Sequence, residues 1–378
     1  MKKSIVLMAL AATFILSSCH EDPLLPPGWE PEQKETVYKY PGFFLLNEGN
    51  MGSDKCTLDY YDFTDNEYQR NIYPACNPQA VHGLGDCGND LKVYGNKLYA
   101  VVNGSNLVDI MDLATARSLA AVSIPNCRAI AFKDCYAYVS SYASEGIVDI
   151  ANALGTIYKI DTTTFKTVAT CTVGYQPEEM AIYGNKLFVA NSGGYRYDNG
   201  DYDTRVSVID LSTFKEVKKI EVAPNLYRMA VDRLGHIWVS SRGNYSDVPA
   251  SLSVIDASSE KVIKKLDVDA TGMSMAGDSL YVYGYDWKDN TTSFGIIDIN
   301  TLECVSDKII KDDTQSDIQS VYGIAVNPES RDIFITDAKD YMTPGMVYCY
   351  SREGEFKWAA ITGDIPSRIA FSTIKKKK

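Results

Sequence analysis

Few side chains in this sequence have the types and spacing that catalysis requires. Beyond residue 40 the only histidines are His82 and His236, which fall in different segments, and no His/Cys cluster has metal-ligand spacing. The sequence also has no GxSxG motif and no Walker-type glycine loop, the signatures of serine hydrolases and of phosphate-binding loops. We therefore expect a protein that is not an enzyme and that carries no metal or cofactor.

Polar side chains instead recur at the ends of short apolar segments. Arg128, Glu179, Arg228 and Arg368 each open such a segment, and Asn191 closes one. Guanidinium, amide and carboxyl groups that converge on a concave site suit a ligand rich in amide and phosphate groups. The alternative is that these side chains pair with one another and only close a channel.

Aromatic residues fall in the longer polar segments between the apolar ones. Tyr and Trp supply stiff contact area with a polar tip, which is the composition of a binding surface, although some of these rings could only pad one loop against another. The predicted ligand-binding residues are Arg128, Glu179, Asn191, Tyr195, Tyr197, Tyr227, Arg228, Tyr245, Tyr285, Trp287 and Arg368.

A repeat of 42 to 50 residues determines how these side chains are positioned. Its marker is an apolar strand that ends in an apolar residue followed by aspartate: Tyr61-Asp62, Met111-Asp112, Ile160-Asp161, Ile209-Asp210, Ile255-Asp256 and Ile297-Asp298. Within a unit, four short strands rich in β-branched and aromatic residues alternate with turn residues. This is the length and content of one four-stranded propeller blade.

The repeat predicts an all-β fold, a seven-bladed β-propeller with terminal strand closure. Six complete units cover residues 90–125, 127–174, 177–223, 225–268, 270–310 and 320–363. Three leading strands within residues 43–73 and a final inner strand, Arg368 to Phe371, would join as the seventh blade and leave no open edge. The propeller then spans residues 41–374, residues 375–378 form a basic tail, and the predicted binding residues share the face with the long loops.

The N-terminus predicts export and lipid attachment. Lys2 and Lys3 precede an apolar run of about 12 residues, shorter than the roughly 20 that span a bilayer, so residues 1–18 read as a signal peptide. Small residues directly before Cys19 form a lipobox, in which this cysteine is acylated and anchors the protein to a membrane.

The segment that follows predicts a cell-surface protein on a tether. Glu21 and Asp22, directly after the cysteine, resemble the signal for the outer face of the outer membrane in Bacteroidetes, and residues 19–40 are proline-rich and extended. The net charge of −12 argues against nucleic acid and anionic lipid as partners, so the membrane is met through the lipid anchor only. Among the remaining cysteines, Cys76 and Cys87 bracket one loop and are the pair that could form a disulfide.

The segment Phe43-Phe-Leu-Leu-Asn-Glu-Gly49, with the repeated Gly-Asn-Lys-Leu of residues 95–98 and 184–187, resembles the YncE-like propeller lipoproteins of gut Bacteroidetes. Within them it is most similar to the BtuG-like cobalamin-binding proteins. The resemblance implies that the chain binds cobalamin or a related corrinoid and passes it to a BtuB-like TonB-dependent transporter. Two alternatives stay open: a protein-interaction or glycan-uptake scaffold, and a hydrolase with calcium held by Glu179, Asn191 and Asn103.

Overall fold

The computed structural model describes residues 42–372 except 145, 287, 288 and 290, and leaves the side chains of residues 198 and 199 undescribed. The predicted signal peptide, Cys19, the tether, Trp287 and the tail of residues 375–378 lie outside the described residues. The described part forms seven antiparallel four-stranded sheets, which are the blades of a propeller.

The strands follow one another blade by blade along the chain. The first three blades comprise β1 (Gly42–Asn47), β2 (Thr57–Asp62), β3 (Glu67–Gln69), then β4 (Gly88–Tyr94), β5 (Lys97–Val102), β6 (Leu107–Asp112), β7 (Ser118–Ser123), then β8 (Cys127–Lys133), β9 (Tyr136–Ser141), β10 (Leu154–Asp161) and β11 (Thr167–Tyr175). The next two comprise β12 (Pro177–Tyr183), β13 (Lys186–Asn191), β14 (Arg205–Asp210), β15 (Lys215–Glu221), then β16 (Leu226–Val231), β17 (His236–Ser241), β18 (Ser251–Asp256) and β19 (Lys261–Leu266). The last strands are β20 (Gly272–Ala276), β21 (Ser279–Asp286), β22 (Thr291–Asp298), β23 (Glu303–Ser306), then β24 (Val321–Val326), β25 (Ile333–Asp337), β26 (Pro344–Tyr350), β27 (Phe356–Asp364) and finally β28 (Pro366–Ser372). Helical turns are short: the α-helix α1 (Tyr73–Cys76) and the 3-10 helices Gly194–Asn199 and Asp313–Asp317.

The ring is closed by strands from both ends of the described chain. β28 pairs antiparallel with β1, so that Phe43 lies opposite Phe371 and Leu45 opposite Ile369, and the closing sheet has the order β28-β1-β2-β3. The predicted seven-bladed propeller with terminal strand closure is therefore confirmed. The inner strands of the seven blades are β4, β8, β12, β16, β20, β24 and β28, and they surround a central channel.

The aspartate of the repeat is a turn residue. Asp161 Oδ1 accepts from the backbone N–H of Thr163 at 2.9 Å and of Thr164 at 2.6 Å, and its carbonyl accepts from Phe165 N at 2.9 Å. Phe165 has φ 58°, in the left-handed region. Aspartate caps this turn because its short side chain reaches the backbone two and three residues on. Asp112, Asp210 and Asp298 cap the turns that follow them in the same way.

The blades pack face to face through side chains that are buried or partly buried. In the closing blade Phe43 contacts Phe334 of the preceding blade with ring centroids 5.0 Å apart, and Tyr61 stacks on Trp358 at 4.4 Å. Burying one such aromatic side chain contributes about 1.5–3 kcal/mol. The closing blade is therefore held to the blade before it by side-chain packing, in addition to the β1–β28 ladder within the closing blade.

Two further features concern the sequence expectations. All eight cysteines in the described region are free thiols, so the disulfide between Cys76 and Cys87 is not formed: Cys76 ends α1, whereas the Cys87 thiol points to Glu48. Within residues 42–372, as far as they are described, no helix is long and apolar enough to cross a bilayer.

Candidate functional site

A break in strand pairing at the start of the inner strands builds the channel mouth. Six of the seven described inner strands shift register here, for example β12 between Pro177 and Met180 and β16 between Leu226 and Met229. In a regular strand consecutive side chains point to opposite faces, whereas a β-bulge redirects one of them. Each bulged strand can therefore present two neighbouring residues to the same cavity.

The cavity formed in this way has a volume of about 230 Å³. Residues from six blades line it, and all but Ala129 have charged or polar side chains: Glu48, Asn89, Arg128, Ala129, Glu178, Glu179, Tyr227, Arg228, Arg242, Tyr322, Ser367 and Arg368. A larger cavity of about 620 Å³ continues along the channel. Five residues line both spaces and therefore separate the mouth from the channel: Glu179, Arg228, Tyr322, Ser367 and Arg368.

Glu179 joins two arginines from different blades. Its Oε1 lies 2.8 Å from Arg228 Nη1 and 2.5 Å from Arg368 Nη2, and its Oε2 accepts from Met229 N at 3.0 Å. The same arginines donate to backbone carbonyls, Arg228 Nε to Thr271 and Arg368 Nε to Asn89, both at 3.1 Å. Both guanidinium groups are therefore held in fixed positions.

Glu178 is the centre of a second group. Its Oε2 accepts from Arg128 Nε at 3.2 Å, and its Oε1 accepts from the Tyr142 hydroxyl at 2.6 Å. Arg242 Nη1 is more distant, 3.9 Å from Oε1. Burial opposes ionisation of this carboxyl, but the guanidinium groups of Arg128 and Arg242 outweigh it and hold the pKa of Glu178 below its usual value.

Glu48 is the third carboxyl of the mouth and behaves differently. Tyr322 donates its hydroxyl to Oε2 at 2.9 Å, and the Cys87 thiol lies 3.6 Å from Oε1. Burial raises the pKa of Glu48, because these neutral donors and the more distant Arg128 compensate only part of the lost hydration. Protonation of this group is therefore favoured more than at an exposed glutamate.

Tyrosine rings make cation–π contacts with three of the arginines of the mouth. The Arg242 guanidinium lies 3.4 Å from the ring centroid of Tyr227 and that of Arg228 lies 4.0 Å from the same ring, while Arg128 lies 4.8 Å from the Tyr142 ring. Four arginines thus face three glutamates, one of which resists ionisation, while Asp90 beside Arg368 is balanced by Lys92. In a protein with a net charge of −12, this mouth has a local excess of positive charge and can attract an anionic group.

Exposed tyrosines lie on loops outside the cavity. Tyr195, Tyr197 and Tyr245 have 52, 59 and 55% of their surface exposed. Tyr195 packs edge to face against Tyr142, with centroids 5.3 Å apart, which connects these loops to the Glu178 group. Tyr285 is half-buried at the end of β21.

The structure brings together five of the predicted binding residues: Arg128, Glu179, Tyr227, Arg228 and Arg368 all line the mouth. Asn191 does not join them. It is fully buried, its Nδ2 donates to Arg205 O at 2.7 Å and Ser207 Oγ at 3.0 Å, and its Oδ1 accepts from Gly174 N. Tyr195, Tyr197, Tyr245 and Tyr285 lie outside the lining, and for all these residues ligand contact stays a prediction.

Sequence reasoning missed Glu48, Glu178, Arg242 and Tyr322. Glu178 lies directly before Glu179, Tyr322 is the second residue of β24, and Arg242 follows the last residue of β17 by one position. The signal available was their position beside strand ends, where the predicted binding residues also lie.

The residues considered for calcium are also engaged elsewhere. Asn103 Nδ2 donates to Cys127 O at 2.9 Å, Asn191 is used as above, and Glu179 binds two arginines. In the described part of the chain no group of three or more His, Cys, Asp or Glu side chains is arranged to hold a metal ion.

Comparison with known proteins places the chain in a family. Residues 41–357, almost the whole propeller, match the family model described as "Domain of unknown function (DUF5074)". The chain belongs to this DUF5074 family. No curated protein matches the DUF5074 chain.

Solved structures share the fold of the DUF5074 chain. A quinonprotein alcohol dehydrogenase-like protein from Bacteroides thetaiotaomicron is 16% identical, with a TM-score of 0.61 over 88% of this chain and 78% of that one. The hydrazine synthase of Kuenenia stuttgartiensis is also 16% identical, with a TM-score of 0.57 over 85% of this chain and 99% of that one. At this identity the likeness concerns the propeller architecture alone, because one fold serves many functions.

Proposed function

We propose that this DUF5074 protein is a cell-surface lipoprotein that binds cobalamin or a related corrinoid on its long-loop face and delivers it to a BtuB-like TonB-dependent transporter. The observation that carries the proposal is the arginine-rich mouth with exposed tyrosines on the loops around it. A corrinoid is a broad ring with amide side chains and a phosphate-linked tail. Fixed guanidinium groups can donate to the phosphate and amide oxygens, while tyrosine rings cover apolar parts of the ring.

The sequence resemblance adds the biological setting to this proposal. A signal peptide, acylation of Cys19 and an acidic pair after it would place the propeller outside the cell, where a scarce vitamin has to be captured before transport. A binding protein needs no catalytic group for this task, which agrees with the lack of hydrolase and nucleotide motifs in the sequence.

Titration calorimetry of the purified protein with cyanocobalamin tests the ligand. We expect saturable heat at micromolar concentrations, and weaker binding by Tyr245→Ala because the exposed ring is lost. Tyr183→Ala is the matched control, since Tyr183 is also partly exposed but ends β12 at the end opposite to Glu178. The absence of heat from the wild type would end the corrinoid proposal and favour the interaction or glycan scaffold.

Cell fractionation tests the location independently. Cys19→Ala should release the protein from the membrane fraction, because acyl chains supply the anchor. A protease added to intact cells should degrade the wild type. If the wild type is cut only after the cells are lysed, the proposed surface exposure is wrong, whatever the ligand.

A further inference from the structure

We propose that the channel mouth is a subsite for one singly charged oxyanion group, a carboxylate or a phosphodiester, and that Arg242 is the residue that binds it directly. The inference deepens the proposed function, because it assigns chemistry to the same mouth, but it does not require the ligand to be a corrinoid. It rests on how the four arginines of the mouth differ in their present partners.

Three of the four arginines are already engaged. Arg128 donates to Glu178 and, through Nη1, to Asn89 Oδ1, each at 3.2 Å. Arg228 and Arg368 share the Glu179 carboxylate, and each also donates to a backbone carbonyl. Their hydrogen-bonding capacity is largely used within the protein, so they shape the mouth and contribute mainly their charge.

Arg242 is different from the other three. The carboxylate oxygen that it approaches in the described region, Glu178 Oε1, is 3.9 Å from Nη1, beyond hydrogen-bond length. Its side chain is also the most exposed of the four, at 28% against 12–20%. The Tyr227 ring, 3.4 Å away, fixes the plane of the guanidinium. The aromatic ring holds the face of this guanidinium, while the N–H groups at its edge remain available. Such an arrangement can bind an oxyanion with two parallel hydrogen bonds.

The charge and the size of the mouth define the group that fits. Asp90 lies 3.9 Å from Arg368 Nε, but its charge is balanced by Lys92 at 3.8 Å. The four arginines then exceed the three glutamates by one charge even when Glu48 is ionised, so one negative charge balances the mouth. The volume of about 230 Å³ lies below the roughly 300–1,000 Å³ of sites that enclose a whole small molecule. The mouth therefore accepts one charged group of a larger ligand whose remainder lies on the loops above.

The first experiment uses simple anions. Diethyl phosphate and propionate are titrated against the wild type, Arg242→Gln and Arg233→Gln at constant ionic strength, and the affinity is measured from the rise in Tm. Arg233 is the control because it is an exposed arginine paired with Asp278 outside the mouth. One charge-assisted hydrogen-bonding partner contributes about 1.5–3 kcal/mol, so Arg242→Gln should weaken the tighter anion about ten- to a hundredfold, and Arg233→Gln should not change it.

Two outcomes would overturn the subsite: no saturable response of the wild type to either anion, or equal affinity in Arg242→Gln and wild type. Urea unfolding of Arg242→Gln in the absence of anion checks that the variant is folded, and Arg242→Lys, which retains the charge without the planar edge, should bind with intermediate affinity. The anion that binds more tightly identifies the group as carboxylate or phosphodiester.

A second experiment separates this inference from the proposed function. Cyanocobalamin is compared with cobinamide, which lacks the nucleotide phosphodiester, on wild type and Arg242→Gln. Anion binding through Arg242 without any corrinoid binding would support the subsite and refute the corrinoid. Corrinoid binding that Arg242→Gln leaves unchanged would refute the subsite and support the proposed function.

Discussion

Replacing Glu179 with glutamine is expected to destabilise the propeller more than removal of any exposed ion pair. The glutamate connects β12 to the arginines of β16 and β28, and it accepts three hydrogen bonds, from Arg228, Arg368 and Met229 N. Glutamine has nearly the same shape and can still accept from Met229. It lacks the negative charge, so two partly buried guanidinium groups lose their shared counterion.

The structure allows a magnitude to be worked out. Leaving one partner of a buried ion pair uncompensated costs about 3–5 kcal/mol. Side-chain exposure here is 15% for Glu179, 12% for Arg228 and 20% for Arg368, so water compensates part of the loss. We expect the free energy of unfolding to fall by the lower limit of that range, about 3 kcal/mol.

Urea unfolding followed by circular dichroism measures this difference. The control is Asp278→Asn, which breaks an ion pair to Arg233 in which both side chains are more than half exposed and which should therefore contribute little. If Glu179→Gln unfolds at the same urea concentration as the wild type, or if both variants lose equal stability, Glu179 is not the structural centre of the mouth.

Three further predictions concern other parts of the molecule. Burial raises the pKa of Glu48 above the ordinary 4.5, so ionised Glu48 destabilises the folded state above pH 4.5. Glu48→Gln should therefore raise the free energy of unfolding at pH 7 but not at pH 3.5, where the carboxyl is protonated in both states. A gain in stability that does not depend on pH would contradict this assignment. The hydrogen bond from Thr164 N–H lowers the pKa of Asp161 in the folded state, so the stability that this turn contributes is present above pH 3.8 and is lost as the pH falls through the folded-state pKa. Asp161→Ala should therefore reduce Tm at pH 7 and much less at pH 3. Equal losses at the two pH values would show that the ionised side chain does not stabilise the turn. Deleting residues 365–378 removes β28 and should lower Tm strongly, while deleting residues 375–378 should not; a full Tm in the longer deletion would contradict the closure.

The ring could be predicted because every repeat contains its own local signals. The buried apolar residue before each aspartate marks the third strand, and the aspartate caps the turn after it, as Asp161 does with Thr163 and Thr164. Such signals involve only a few neighbouring residues, so they can be recognised without knowledge of the rest of the fold. The closing strand could be predicted for the same reason, since Arg368 to Phe371 matches the other inner strands.

The chemistry of the mouth could be predicted only in part. The position at the start of an inner strand correctly placed Glu179 and Arg228 at the channel, but it gave no reason to include Glu178, which the bulge in β12 turns to the same side. A bulge depends on pairing with the next strand, which no local pattern of residues specified here. Asn191 and Ser241 are polar residues at the end of the second strand of their blades, yet they do not line the mouth. Their side chains donate to nearby backbone carbonyls and hold the strands to the loops beside them.

The β1–β28 pairing also has a kinetic consequence. Ser367 and Leu46, which are bonded across this seam, are 321 residues apart, whereas the other six sheets each form from contiguous chain. Folding slows when contacts join distant parts of a sequence, so the six contiguous sheets should form early and the circle should close last. Until it closes, β1 presents an unpaired edge on which another chain could add. The lifetime of the native molecule is then set by how often β28 detaches, and a substitution in that single strand should change the unfolding rate more than an equal loss of packing elsewhere.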